Sequence, residues 1–136
     1  MSNDCIFCKI IDGDLPSHKV YEDKDVTAFL DIFPVSRGHT VVVPRIHCLN
    51  FLDFPDDKIE VYFTVLKKLT VELKGKLGAD GVNILQNNFT AAGQLVNHMH
   101  FHIIPRWDDD GALKLIQTKK QAKPEELKEI LESIVD

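Results

Sequence analysis

Three histidines at alternate positions, His98, His100 and His102, share one apolar run, His98-Met99-His100-Phe101-His102-Ile103-Ile104. Every second side chain of an extended strand points to the same face. The run therefore sets three imidazoles on one face and Met99, Phe101 and Ile103 on the other. Neutral imidazole is a nucleophile toward phosphorus, and an ordinary pKa of about 6.5 leaves it mostly neutral near pH 7. A second, protonated imidazole can hold phosphate oxygens. Along a strand, positions i and i+2 lie about 7 Å apart and i and i+4 about 13 Å apart. A metal–nitrogen bond is only about 2 Å long. Neighbouring histidines can share one metal or one phosphate, but all three do not reach a single ion. A division of labour follows, with His100 in the middle as the natural nucleophile.

Two other groups can add chemistry. Cys5-Ile6-Phe7-Cys8 is a CxxC pair. Redox use would want a thioredoxin-like βαβ setting, which the flanking residues do not show. The pair is then either half of a zinc site, with His47 and His98 as candidates for the other half, or two packed thiols. Cys48 alternates away from His47 and reads as packed. Asn87-Asn88-Phe89-Thr90-Ala91-Ala92-Gly93-Gln94 is a polar loop just before the histidines. Such a loop is either an ordinary connection or a source of amide donors for an anion.

These residues need a scaffold. Residues 18–22 and 25–31 pattern as a hairpin turned at Asp23-Lys24, and His39 to Val43 as a strand ended by Pro44. Pro55-Asp56-Asp57 suits a helix start. Ile59, Tyr62, Phe63, Leu66, Leu69, Thr70 and Leu73 recur at helical spacing, Lys67, Lys68, Lys74 and Lys76 load the C-terminal half, and Gly75 and Gly78 are its candidate terminators. Val82 to Gln86 reads as a strand, Asn88 to Gly93 as a loop and Val96 to Ile104 as the histidine strand. Pro124 opens a last helix with Leu127, Ile130, Leu131 and Ile134 on one face. The expected fold is a single α+β domain over residues 1–136, an antiparallel sheet of about five strands with one long helix and a C-terminal helix.

Composition narrows the partners. The 136 residues are 44% hydrophobic and 27% charged, with 16 basic and 21 acidic side chains and a net charge of −5. That balance lacks the basic stripe of a nucleic-acid binder. No apolar run approaches the roughly 20 residues of a membrane span, so no membrane partner is expected. Met1-Ser2-Asn3-Asp4-Cys5 lacks the basic start and apolar stretch of a signal peptide, which makes a cytoplasmic location with reduced thiols the expectation. Asn88-Phe89-Thr90 is then an inert sequon.

The histidine run resembles the His-φ-His-φ-His-φ-φ signature of the histidine triad family, φ being apolar. Further blocks are similar to the family's, in the same order: Cys5 to Ile11, Val20 to Asp23, Ala28 to Ile32, Gly38 to His47, Ala92-Gly93-Gln94 and His102 to Trp107. The likeness extends over roughly residues 5 to 107 and is that of the zinc-containing prokaryotic-type branch. It implies attack of His100 on the α-phosphorus of a nucleoside monophosphate derivative, through a transient nucleotidyl-imidazole. It implies that His102 binds α-phosphate oxygens, that His39 lies near the phosphates and that Asp31 accepts from the ribose hydroxyls. Asn87, Gln94 and the Gly93 amide would touch the phosphate and leaving group. Phe7, Ile10, Leu15, Phe29 and Val41 resemble the apolar slot for the base, a role that competes with plain core packing.

The same resemblance assigns Cys5, Cys8, His47 and His98 to a closed, structural zinc site. No organic cofactor is implied, and the chemical step needs no metal, since imidazole takes the place of an activated water. The family's habit of pairing through the long helix and the following strand implies a homodimer. Leu95 departs from the pattern: the phosphoramidate-cleaving branch often has Ser or Thr there. The function implied is a hydrolase or nucleotidyl transferase acting on purine nucleotides, with phosphoramidates or dinucleoside polyphosphates as substrates. A different class competes with it, a zinc-stabilised nucleotide-binding module that acts through a protein partner.

Overall fold

Val41-Val42-Val43 is buried on both sides of its strand, and the architecture follows from that double burial. A computed structural model describes residues 4–114 and 120–135. Met1 to Asn3, which enter the reading of the N-terminus, lie outside the described residues. The elements are α1 (Ile6–Asp12), β1 (Lys19–Glu22), β2 (Val26–Leu30), β3 (Thr40–Pro44), α2 (Ile59–Leu77), β4 (Gly81–Leu85), β5 (Phe101–Arg106) and α3 (Pro124–Ile134). The strands form one antiparallel sheet in the order β1-β2-β3-β5-β4. The fold is α+β, as expected.

Asp23 turns the first hairpin: its Oδ1 accepts from the Asp25 and Val26 amides at 2.7 and 2.8 Å. On one sheet face, Val26, Ala28, Val42, Met99 and Ile103 pack against Tyr62, Val65, Leu66 and Leu69 of α2. Tyr62 is 1% exposed and its hydroxyl donates to the Val42 carbonyl at 2.7 Å, so its burial leaves no polar atom unpaired. On the other face, Phe29, Val41 and Val43 pack against Phe7, Cys8, Ile10 and Ile11 of α1. Gly38, at φ +85°, lets the chain between β2 and β3 pass against the end of α2, where a Cβ would collide with Leu77 Cδ1. Among the described residues no helix is long and apolar enough to cross a membrane.

Three expectations need correction. The histidine run is not a strand throughout. It bends at Val96–His98, and ladder pairing begins at Phe101. The Met99 amide donates instead to the Cys48 carbonyl at 2.9 Å, tying this stretch to the segment after β3. A helix does follow Cys5. It is α1, capped by the Cys5 sulfur, which accepts from the Cys8 amide at 3.4 Å, and it ends at Gly13. Seven residues are too few for a helical period to stand out in sequence. No strand precedes it among the described residues, so a βαβ redox setting is still absent. Finally, Gly75 lies inside α2, and Gly78 alone, at φ 64°, takes the left-handed cap.

Candidate active site and metal centre

His98 and His100 sit on the irregular approach to β5, and backbone carbonyls orient both rings. His98 Nε2 lies 2.8 Å from the Pro44 carbonyl, and His100 Nδ1 lies 2.8 Å from the carbonyl of His98 itself. A carbonyl only accepts, so each of these nitrogens carries the proton. The neutral His100 ring therefore keeps its lone pair on Nε2. Phe7 braces this ring edge to face, with centroids 5.0 Å apart. Burial holds the His100 pKa below the ordinary histidine value, which keeps the lone pair available.

His102 gets its tautomer through a relay. The Val35 amide donates to His39 Nδ1 at 3.0 Å, so neutral His39 carries its proton on Nε2. That nitrogen lies 2.8 Å from His102 Nδ1, which must accept, leaving the His102 proton on Nε2. Burial, followed by repulsion from His100 and His39, lowers the His102 pKa to about 4. Burial also lowers that of His39. Asp31 Oδ2 lies 3.6 Å from His39 Nε2, while Oδ1 accepts from the Phe33 amide at 2.8 Å. Asp31, His39 and His102 bring ligand-type atoms within 4.8 Å of one another, but a protonated Nε2 on His39 makes them a hydrogen-bond relay rather than a metal cage.

A cavity of about 620 Å³ opens beside these rings. It brings together Phe7, Ile10, Leu15, Phe29, Val41, Asp31, Asn87, Gly93, His100 and His102 from the expected set. Phe7 and Phe29 meet edge to face with centroids 5.5 Å apart. His39 stands behind His102 and does not line the cavity. Nor does Gln94, which is 5% exposed. Its amide donates to the Leu49 and Val96 carbonyls at 2.6 and 2.9 Å, and its oxygen accepts from the Phe89 amide at 2.7 Å and from Asn50 at 3.3 Å. The Gly93 amide is likewise engaged, by the Thr90 carbonyl at 3.0 Å. Sequence reasoning did not include the lining residues Ile6, Pro16, Ser17, Leu30, Ile32, Phe33 and Val96. Adjacency to Leu15 or Asp31 was the available signal for Pro16 and Ile32. Ser17 Oγ is buried without a hydrogen-bond partner.

The two cysteines meet His47 and His98 on the other side of Phe7. His98 Nδ1 is 3.4 Å from Cys5 Sγ, 3.6 Å from Cys8 Sγ and 3.1 Å from His47 Nδ1, and Cys8 Sγ is 3.3 Å from His47 Nδ1. Tetrahedral ligands of zinc stand roughly 3.3 Å apart for two nitrogens and roughly 3.6 Å apart for nitrogen and sulfur. The spacing fits. So does the donor chemistry, because the Pro44 carbonyl forces the lone pair of His98 onto the nitrogen facing both sulfurs. Burial, followed by the neighbouring Cys5 thiol, pushes the Cys8 thiol up to about 11. The residues thus suit zinc.

A model of the HIT domain matches residues 12–109. This chain belongs to the HIT family. An uncharacterized HIT-like protein of Methanocaldococcus jannaschii is 53% identical over 127 residues, 93% of this chain and 98% of that protein. The adenosine 5'-monophosphoramidase hnt1 of Schizosaccharomyces pombe is 38% identical, with 96% of this chain and 95% of that one aligned. The crystal structure of a HIT family member from Bacillus subtilis superposes with a TM-score of 0.89 at 43% identity, covering 97% of this chain and 95% of that one. A zinc-bound histidine triad protein from Mycobacterium smegmatis matches at a TM-score of 0.76 and 36% identity, covering 86% of this chain and 84% of that one.

Burial of His102 makes this chain's fold acid-sensitive. His102 stays neutral in the folded chain down to about 4, whereas in the unfolded chain it titrates near the ordinary value of about 6.5. Its contribution to stability is complete above the unfolded pKa and is lost as pH falls through the folded one. Nitrogen-15 NMR at pH 7 is expected to show a neutral His102 protonated on Nε2, and urea midpoints should be lower at pH 5 than at pH 7.5. A His102 that titrates near 6.5 would contradict the relay.

Proposed function

We propose that this HIT protein cleaves nucleoside monophosphate derivatives at the α-phosphorus through a covalent nucleotidyl-His100 intermediate. The observation that carries the reading is the hydrogen bond from His100 Nδ1 to the His98 carbonyl at 2.8 Å, which leaves Nε2 unprotonated beside the cavity. His100 Nε2 bonds to phosphorus as the leaving group departs. A water oxygen then adds to phosphorus as the bond to His100 breaks, releasing the nucleoside monophosphate. The Nε2 proton of His102 and the Asn87 amide hold the non-bridging oxygens where negative charge accumulates. Asp31 Oδ2 accepts from the ribose hydroxyls. Phe7, Ile10, Leu15, Phe29 and Val41 enclose a purine base, a flat apolar ring that suits a slot of this lining. His39 acts by setting the tautomer of His102. Gly93 and Gln94 act by holding the loop that presents Asn87.

The names of relatives support this reading, the fission yeast protein being called an adenosine 5'-monophosphoramidase. Phosphoramidates and dinucleoside polyphosphates are both candidate substrates. His100→Asn is expected to lower AMP release from wild-type levels by at least about 10³-fold while nucleotide binding persists. Binding by the wild type without release from any such substrate would instead favour the binding-module reading.

Cys5, Cys8, His47 and His98 hold a structural zinc in the same proposal. Zinc there would tie α1 to the segment after β3 and to the approach to β5, and its closed ligand set keeps it out of the reaction. Elemental analysis of untagged protein should give about one zinc per chain. Cys8→Ser should remove it and cost about 3 kcal/mol when free zinc stands about 100-fold above its Kd. A fully folded, metal-free wild type would count against the site.

The pairing surface is α2 with β4. Val71 on α2 is 64% exposed, and Ile84 lies on β4, an outer strand of the sheet, at 43%. Sedimentation is expected to give the mass of two chains, and replacing both residues by Glu should give that of one.

A further inference from the structure

Leu95, at one end of the cavity, has no role in the chemistry above. The sheet order β1-β2-β3-β5-β4 gives the cavity a direction. Phe29 and Val41, from β2 and β3, line the apolar slot, and His102 stands on β5. Asn87, Gly93 and Leu95 come from the connection that leaves β4, the strand beyond β5. With the base over β2 and β3 and phosphorus at His100, the departing group lies toward that connection. Leu95 lines the cavity there and is nevertheless 93% exposed. It does not project from a loose loop. The side chain of its neighbour Gln94 is pinned by the Leu49, Val96, Phe89 and Asn50 contacts, and the Gln94 amide donates to the Phe89 carbonyl at 3.0 Å. An apolar group held out by a fixed backbone is preorganised for an apolar partner.

Charge points the same way. A polyphosphate leaving group carries several negative charges and is bound by Arg or Lys. Among the described residues lining the cavity none is Lys or Arg, and the one formal charge is the Asp31 carboxylate.

We propose that Leu95 is a specificity-determining residue whose side chain selects an apolar amine, joined to the α-phosphorus through nitrogen, as the leaving group. The assignment rests on the nucleotide chemistry proposed above. His100 Nε2 forms a bond to phosphorus while the phosphorus–nitrogen bond of the substrate breaks. The electron pair goes with the amine nitrogen, which takes a proton from water. The hydroxide left from that water adds to phosphorus as His100 departs, so one water is consumed and one amine and one nucleoside monophosphate are released. The carbon chain of the amine lies against Leu95 throughout.

The test compares kcat/KM for two near-isosteric adenosine 5'-phosphoramidates, of n-butylamine and of 3-hydroxypropylamine, and for diadenosine tetraphosphate. Wild type, Leu95→Ser, Leu95→Met and His100→Asn are the proteins. The wild type is expected to prefer the butyl compound over the hydroxypropyl one by at least about fourfold, the worth of one buried methylene. Leu95→Met should keep that ratio, and Leu95→Ser should bring it close to one. A wild-type ratio near one, a ratio unchanged in Leu95→Ser or faster cleavage of diadenosine tetraphosphate would overturn the assignment. Provided His100→Asn is inactive, those results would leave the His100 chemistry standing. No AMP release from any substrate would overturn both.

Discussion

The backbone carbonyl of His98 decides which nitrogen of His100 faces the cavity. It accepts from Nδ1 at 2.8 Å and leaves Nε2 bare. Were the ring in its other tautomer, the proton would face the cavity and the carbonyl would face an unprotonated nitrogen. That carbonyl is itself held by its own side chain, since His98 Nε2 donates to the Pro44 carbonyl at 2.8 Å. One residue thereby joins the end of β3, the cysteine cluster and the His100 ring. Burial also lowers the His98 pKa to about 4, which keeps the ring neutral and its Nδ1 directed at the sulfurs.

The sheet makes this arrangement affordable because both its faces are covered. Met99 and Ile103 alternate with the histidines and are fully buried against α2. Those two side chains anchor the run from behind, so the imidazoles on the front can be packed by α1 without the strand shifting register. Phe7 serves both sides of α1's work. It packs with Phe29 in the slot and braces the rings of His98 and His100 at centroid distances of 6.0 and 5.0 Å.

The residues that gather at the cavity and in the cysteine cluster stood out in sequence because their types are rare at that spacing. Three alternating imidazoles and a CxxC pair have few bland explanations, and α2 announced itself by a period sustained from Ile59 to Leu73. Position within the site was harder to read. Gln94 looks like a ligand-facing amide, yet its four partners come from Leu49, Asn50, Phe89 and Val96, a convergence that linear spacing does not encode. His39 reads as a phosphate neighbour, and its contact with His102, which sets that ring's tautomer, could not be read from spacing. The bend before Phe101 was hidden because alternation of side chains survives in an extended chain whether or not a ladder forms. Helix α1 was hidden by its length.

The most direct measurement is to quench the reaction of an adenosine phosphoramidate within its first turnover and map any nucleotidyl group on the protein by mass spectrometry and heteronuclear NMR. The account predicts an AMP adduct on His100, bonded through Nε2. An adduct on another residue, one bonded through Nδ1, or turnover with no covalent species under conditions where the second step is slowed would contradict it.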